Sequence, residues 1–476
     1  MSVKTQLAVI GAGPGGYAVA FYAADLGLEV TLIDLEKNPG GTCLYRGCIP
    51  SKAYLHVAKI LSEAKHAEAC GITFGEPKIN IDKVRAFKED IVEKLTTGNG
   101  GLAKQRKINY LQGRAFFENN NKLSVKLINP ETDQDRVEIE FDKAIIATGS
   151  VPSVIPGLSI DSPYVMNSDI ALDLPDVPKK MLVIGGGIIG CEMATFYAGL
   201  GSEVTIVELL PQILTGADKD LARVVAGELS KKVKAIYTNT KVVSLKEIEN
   251  GVEVNFEGKK VEETIQKFDK VLIAIGRSPV TKGLGLENTN VKVSDRGFIE
   301  IDEYFRTDAD SIYAIGDVVG QPMLAHKAHA EGRIAVDNIA GTPTKFTHKT
   351  IPSVVYTDPE LGWVGLTEAE AKEKGIKVKA FRFPWAANGR ALTQGRIDGT
   401  TKIIVDPESE IILGFAVAGP GAGELLAEGA LAVEKEMKAK DLAHLIHAHP
   451  TLSETVMEAA EMVYGTATHI YRPKRK

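Results

Sequence analysis

Short apolar runs that end in glycine recur along this chain, and two of them open the same series of elements. Leu7-Ala-Val-Ile10 runs into Gly11-Ala-Gly-Pro-Gly-Gly16. The apolar positions then take helical spacing in Tyr17-Ala-Val-Ala-Phe-Tyr-Ala-Ala24 and stop near Gly27. A second run, Glu29-Val-Thr-Leu-Ile-Asp34, closes on an acid. The order returns as Met181-Leu-Val-Ile184, Gly185-Gly-Gly-Ile-Ile-Gly190, Cys191-Glu-Met-Ala-Thr-Phe-Tyr-Ala198, Gly201 and Glu203-Val-Thr-Ile-Val-Glu208. Short apolar runs bounded by turn signals read as buried strands, and the change to a 3.6 period reads as helix. Each acid stands 18 residues beyond the last glycine of its turn, Gly16 to Asp34 and Gly190 to Glu208. The pattern predicts two βαβ units of the nucleotide-binding kind.

Elsewhere the pattern is less repetitive. Ile79 to Ile108 reads as a long amphipathic helix interrupted at Thr97-Gly-Asn-Gly-Gly101. A β-rich stretch follows and ends in Lys143-Ala-Ile-Ile-Ala-Thr-Gly149. Val151-Pro, Ile155-Pro-Gly and the prolines at 163, 175 and 178 then read as a linker into the second unit. That unit closes at Val271-Leu-Ile-Ala-Ile-Gly-Arg277. Ser311-Ile-Tyr-Ala-Ile-Gly-Asp317 reads as a strand with an acid at its carboxyl end, and Leu324 to Ala340 as a helix. Beyond Lys349, strands (Ser353–Tyr356, Thr401–Val405, Ile411–Val417) mix with helices (Gly423–Met437, Ser453–Tyr464). The expected architecture is α/β: two Rossmann-like dinucleotide-binding domains over 1–150 and 151–277, a central segment over 278–347, and an α+β domain over 348–476.

Composition narrows the class without changing this picture. The chain has 476 residues, 44% hydrophobic and 25% charged, with net charge -6. It is long enough to bury ample apolar surface unaided. The negative balance argues against nucleic acid as a partner. No apolar run has the length of a membrane span. The first strand begins within a few residues of Met1, so a cytoplasmic location is expected, or the mitochondrial matrix if a transit peptide has been removed. The basic end, Tyr471-Arg-Pro-Lys-Arg-Lys476, reads as a solvated terminus.

Four cysteines are too few for a secreted disulfide scaffold. Cys70 and Cys191 read as small buried residues. Cys43 and Cys48 differ: they sit five positions apart in Gly-Gly-Thr-Cys-Leu-Tyr-Arg-Gly-Cys-Ile-Pro-Ser-Lys, soon after the first glycine turn. The competing reading, two unrelated small residues in a glycine-rich loop, is the weaker one given this placement. No metal site is expected there, since no second cysteine pair or spaced histidines complete four zinc ligands. Cys48-Ile-Pro-Ser-Lys52 has the form of a helix start, and a cysteine at a helix N-terminus favours the thiolate. Lys52 lies one helical turn on, where it adds positive charge. Elsewhere such a lysine would simply be a surface residue.

The glycine turns carry the second piece of chemistry. Gly11 and Gly185 permit the tight turn, Gly13 and Gly187 let a pyrophosphate approach backbone, and Gly16 and Gly190 let the helix pack closely. The helix N-terminus adds amide donors and positive partial charge. Asp34 and Glu208 are placed to accept from a ribose diol, or else are solvent-facing strand ends. A 2′-phosphate about 4 Å from Glu208 would meet roughly 1–4 kcal/mol of repulsion, which favours NAD over NADP. His447-Ala-His449-Pro-Thr-Leu-Ser-Glu454 offers a general base and an orienting carboxylate. Thr451-x-x-Glu454 equally reads as a capping box. On these residues alone, base and cap stay level.

Together these motifs resemble the flavin-dependent pyridine nucleotide–disulfide oxidoreductases, over essentially the whole chain. The resemblance takes in Ala147-Thr-Gly149, Ala274-Ile-Gly-Arg277, Ala314-Ile-Gly-Asp317 and Leu324-Ala-His326 as well. It is closest to the branch that oxidises protein-bound dihydrolipoamide with NAD⁺ as the E3 component of 2-oxo acid dehydrogenase complexes. The alternative is another NAD(P)H-dependent disulfide reductase, glutathione- or mercuric-reductase-like. By resemblance the first unit would bind FAD through Gly11, Gly13, Gly16, Asp34, Gly41, Thr42, Lys52, Gly113, Thr148, Gly149, Asp317, Leu324, Ala325 and His326. The second would bind NAD through Gly185, Gly187, Ile188, Ile189, Gly190, Glu208 and Gly276. Lys52 would sit near flavin N5 and pair with Glu192. The C-terminal domain would form a homodimer and deliver His449 and Glu454 to the partner's disulfide, which favours the orienting role for Glu454. Partners would be a lipoyl domain and the acyltransferase core of the complex. The implied reaction begins with His449 taking a substrate thiol proton. The thiolate attacks Cys43 to give a mixed disulfide, the second substrate thiol resolves it, and electrons leave through Cys48 and the flavin to NAD⁺. Three positions depart from the usual pattern: Asp34 replaces Glu, and Tyr45-Arg46 replaces Asn-Val. Arg46 would add positive charge beside the disulfide.

Overall fold

A computed structural model describes residues 2–130 and 135–471. Its first sheet carries the parallel order Asn109–Asn119, Val30–Asp34, Ser2–Ile10, Arg136–Ile146, Ile312–Ala314. Lys122–Leu127 pairs antiparallel with the far ends of Asn109–Asn119 and Arg136–Ile146. The apolar run Leu7–Ile10 is at most 3% exposed because its strand is central and covered on both faces. The second sheet repeats the plan in the order Ala235–Tyr237, Glu203–Val207, Lys180–Ile184, Lys270–Ile273, Val165–Met166, all parallel. The third is antiparallel, ordered Ser353–Val355, Leu361–Gly365, Ile412–Ala418, Thr400–Val405, Lys379–Pro384. Helices Ala422–Glu434 and Glu454–Tyr464 lie against it.

The chain crosses between the two parallel units twice, and the crossings pair as a ribbon, Ser150–Pro152 against Arg277–Pro279. It then returns to the first unit. Helix Ala325–Ile339 packs on helix Pro14–Asp25 at close range: a Cβ on Gly15 would lie 3.0 Å from Ala328 Cβ, and one on Gly332 2.5 Å from Val19. Helix Cys48–His66 of the first unit likewise meets helix Ile188–Gly199 of the second, with Gly199 against Ala58. Two ionic clusters tie the C-terminal domain down. Lys402, fully buried, reaches Asp218 at 2.7 Å, Asp220 at 3.0 Å and Glu368 at 2.6 Å. Asp358 joins Ser62, Lys232 and Arg396.

Three expectations change. Thr97–Gly101 does not interrupt the long helix, which runs unbroken over Ile81–Gln105. Tertiary packing overrides the glycines there, since Val92, Thr96 and Ala103 are buried along one stripe. Gly100 also leaves room in that stripe for the Asn38 side chain, which a Cβ would push aside. The proline-rich linker is also structured. It supplies the ribbon strand, the edge strand Val165–Met166 and helix Ser168–Asp173, with prolines confined to their margins. Cys191 is buried, but Cys70 is exposed, at the end of the 3₁₀ turn Ala67–Cys70. Of the basic terminus, Tyr471 is exposed and residues 472–476 lie outside the described residues.

Candidate active site

The two glycine turns are near copies in three dimensions. Gly11 and Gly185 have φ of +98° and +108°, and a Cβ on either would overlap a carbonyl of the neighbouring strand end, Ala147 or Ala274. Gly16 and Gly190 are closed against the turn itself, facing the Gly11 and Gly185 carbonyls. Gly187 faces open space and Gly13 meets only Gly41 Cα at 3.9 Å. Bare amides at a helix start are thus presented to the cavity, as a pyrophosphate requires. The strand-end acids are tied to the same turns. Asp34 accepts from Ala12 N at 2.5 Å and Glu36 N at 2.9 Å; Glu208 accepts from Gly186 N at 2.7 Å and Leu210 N at 2.8 Å. Burial pushes the Asp34 carboxyl above its ordinary pKa, against these hydrogen bonds.

One cavity of about 1870 Å³ spans both units. That is roughly twice the upper end of an ordinary single-ligand pocket, which fits two dinucleotides. Every residue expected to bind or react lines it except four. Gly16 and Gly190 are packed behind the turns, and His449 and Glu454 lie elsewhere on the same chain. Gly149 and Gly276 have open space where a side chain would stand. Gly113 stands on the strand beside Asp34, and a Cβ there would press on Val125 and Lys126. Thr148 donates to Val280 O at 2.6 Å, and Asp317 accepts from Ser150 Oγ at 2.5 Å. His326, exposed, bonds the Pro352 carbonyl through Nε2 at 2.7 Å.

Cys43 sits in the short helix Gly41–Arg46 and Cys48 opens helix Cys48–His66 after Gly47. Gly41 makes the first of these possible, since a side chain there would overlap Gly13. The thiols share a hydrogen bond, and it splits them. The bond to Cys48, with burial, pushes the Cys43 thiol well up. Accepting from Cys43, helped by the Lys52 ammonium, brings Cys48 down to about 7 against desolvation. Lys52 Nζ lies 2.9 Å from Glu192 Oε2 and 3.1 Å from Oε1. Burial opposes the Lys52 charge, but Glu192 outweighs it and raises the lysine pKa. Arg46, expected to add positive charge beside the disulfide, is paired with Glu36.

His449 Nδ1 lies 2.8 Å from Glu454 Oε1, while Glu454 Oε2 accepts from Thr451 N at 2.7 Å. One carboxylate therefore orients the ring and ties the loop. Burial pushes Glu454 up, but Thr451 N–H and His449 hold it below the usual carboxyl range. Thr451 is not the helix cap, because its hydroxyl donates to Ala448 O and the helix starts at Glu454. The His449 side chain is 75% exposed and is not among the residues that line its own chain's cysteine cavity.

Sequence reasoning missed several groups around this site. Tyr356 N donates to Glu192 Oε1 at 3.0 Å, and its ring lies 4.7 Å from Lys52 Nζ. Arg277 bonds Ser150. Each pair is more than a hundred residues apart, so local spacing carries no sign of it.

Residues 5–332 match the family described as pyridine nucleotide-disulphide oxidoreductase, and residues 351–460 match its dimerisation domain. Dihydrolipoyl dehydrogenase of Haemophilus influenzae is 47% identical over 474 residues, covering 100% of this chain and 98% of that protein. That of Geobacillus stearothermophilus is 44% identical, covering 98% of each. Among solved structures, LpdA from Mycobacterium tuberculosis superposes with TM-score 0.87 at 26% identity, over 96% of this chain and 99% of that one. The HOCl-induced flavoprotein disulfide reductase RclA from Escherichia coli, as its Cu(II) complex, gives 0.86 at 30% identity, over 97% and 99%.

Proposed function

The chain belongs to the pyridine nucleotide-disulphide oxidoreductase family, and we propose that it oxidises protein-bound dihydrolipoamide to lipoamide while reducing NAD⁺ to NADH. The carrying observation is that Cys43 and Cys48 stand on the wall of one cavity with both glycine turns. Gly11, Gly13, Asp34, Gly41, Thr42, Gly113, Thr148, Gly149, Asp317 and the Leu324–His326 turn hold FAD, with Gly16 shaping its turn. Gly185, Gly187, Ile188, Ile189, Gly190, Glu208 and Gly276 hold NAD. FAD, when bound, supplies a two-electron relay between thiolate and nicotinamide.

The chain's own groups do the rest. The C-terminal domain pairs two copies, so that His449 of the partner subunit stands by Cys43; the exposure of His449, apart from its own chain's cavity, supports this. That imidazole, aligned by its carboxylate, takes a proton from one substrate thiol. The thiolate attacks Cys43 Sγ of the oxidised pair, and Cys48 leaves as thiolate. The second substrate thiol then attacks the substrate sulfur of the mixed disulfide and gives its proton to the leaving Cys43 sulfur, which frees Cys43 as a thiol and closes the lipoamide ring. Lys52, fixed by Glu192 and Tyr356, keeps Cys48 ionised. Glu208 disfavours a 2′-phosphate and so selects NAD.

We divide the chain at 150, 277 and 347, a reading that the separate sheets and the ribbon between them support. Further partners are a lipoyl domain and the acyltransferase core of a 2-oxo acid dehydrogenase complex, and the bacterial relatives favour a cytoplasmic setting. Anaerobic titration of the purified yellow protein with NADH should raise a long-wavelength thiolate–flavin band, and dihydrolipoamide should then reduce NAD⁺. No band would overturn the disulfide mechanism; turnover of glutathione in place of dihydrolipoamide would overturn the substrate.

A further inference from the structure

Three residues distant in sequence meet where the chain crosses between the nucleotide units. Arg277 Nε donates to Ser150 Oγ at 2.7 Å, and Arg277 Nη2 donates to the Ser150 carbonyl at 2.6 Å. Ser150 Oγ donates to Asp317 Oδ2 at 2.5 Å. A guanidinium only donates and a hydroxyl has one proton, so the direction is fixed: Arg277 to Ser150 to Asp317. Ser150 is 3% exposed, which shields the chain from competing water. The backbone before Asp317 is clamped from the other side. Glu331 accepts from Gly316 N at 2.7 Å and pairs with Lys327 at 2.8 Å, both nearly fully buried. Among the described residues Asp317 spends only Oδ2 on the protein, and Asp317 lines the cavity.

Arg277 stands on the ribbon that leaves the second unit, and it lines the same cavity. A role as mere brace for the ribbon is the competing account. The ribbon has other ties: Val280 N to Gly149 O at 3.0 Å, Ser153 N to Gly276 O at 3.0 Å, and Thr148 Oγ1 to Val280 O at 2.6 Å. It does not need Arg277 to stay closed. We infer that Arg277 is a positioning residue for the flavin cofactor, acting through Ser150 to aim the free oxygen of Asp317 into the cavity and so coupling cofactor retention in the first unit to the crossing from the second. This rests on the reading that Asp317 holds the flavin side of FAD.

The test uses purified holoprotein of the wild type, Arg277→Met, Ser150→Ala and the double variant. FAD dissociation constants are read by flavin fluorescence, with the melting temperature of each FAD-free protein alongside. Each single variant should weaken FAD binding about tenfold, and the double variant no further, because one chain carries the effect. Unchanged FAD binding in the single variants, or a double effect that multiplies to about a hundredfold, overturns the inference. Should Arg277→Met fail to fold, Ser150→Ala, which loses one oxygen, decides alone. A wild type that takes up no FAD would overturn the underlying reading instead.

Discussion

Cys48 shows how much a few neighbours set. A thiol with its pKa lowered to about 7 is a thiolate above that pH and loses charge as pH falls through it. The thiolate–flavin absorbance of reduced protein should therefore titrate with a midpoint near 7. Lys52→Met removes a lowering charge and leaves Glu192 facing the sulfur, so the midpoint should rise by about one pH unit. A midpoint that stays put would show that Lys52 does not act on Cys48. Glu454→Gln separates the two duties of that carboxylate. The amide oxygen can still accept from Thr451 N, so the melting temperature should hold, while kcat falls about a hundredfold as the imidazole loses its charged partner. A fall in melting temperature with kcat intact would mean the residue only ties the loop. At this scale the sequence was readable wherever chemistry is local. Cys43, Cys48 and Lys52 lie within ten residues, and each turn is six residues long. Glu192–Tyr356 and Ser150–Asp317 are separated by 164 and 167 positions, and only the folded chain brings them together.

Elements were legible where period and turn signals agree. Both βαβ units, the helix start at Cys48 and the helix over Ala325–Ile339 follow from apolar spacing. The helix over Ile81–Gln105 marks the limit, because intrinsic propensity suggests a break at its glycines and burial of one stripe prevents it. The glycines in that stretch are not equivalent. Gly98 and Gly101 have open space where a methyl would stand, whereas at Gly100 the methyl would overlap Asn38. Gly98→Ala and Gly101→Ala should each stabilise the protein by roughly 0.8–1 kcal/mol, the glycine penalty in a helix interior. Gly100→Ala should gain less, because the methyl must push the Asn38 side chain aside. Urea unfolding of the holoprotein checks all three, and equal gains would mean that Gly100 carries no packing constraint.

Across the whole molecule, Asp358 is the point where three parts are joined. It accepts from Ser62 of the first unit at 3.0 Å, and it pairs with Lys232 of the second and Arg396 of the C-terminal domain at 2.6 Å each. The order of domains was legible because each has its own sheet, but this joint was not, since its charges look like surface residues in the sequence. Burial pushes the Asp358 carboxyl up, yet Lys232 and Arg396 together hold it well below the usual range. A depressed carboxyl stabilises the folded state fully above the unfolded pKa, about 3.9, and loses that contribution as pH falls toward the folded value. Asp358→Asn leaves two cations short of a partner and should cost about 1–3 kcal/mol at neutral pH. The gap between wild type and variant should then close as pH drops below about 4, where the native carboxyl gives up its advantage. Urea unfolding from pH 7 down to the acid transition, with FAD kept saturating, measures that gap. A gap that stays constant with pH would place the cost in lost packing and remove the charge from the account of how the three parts are held.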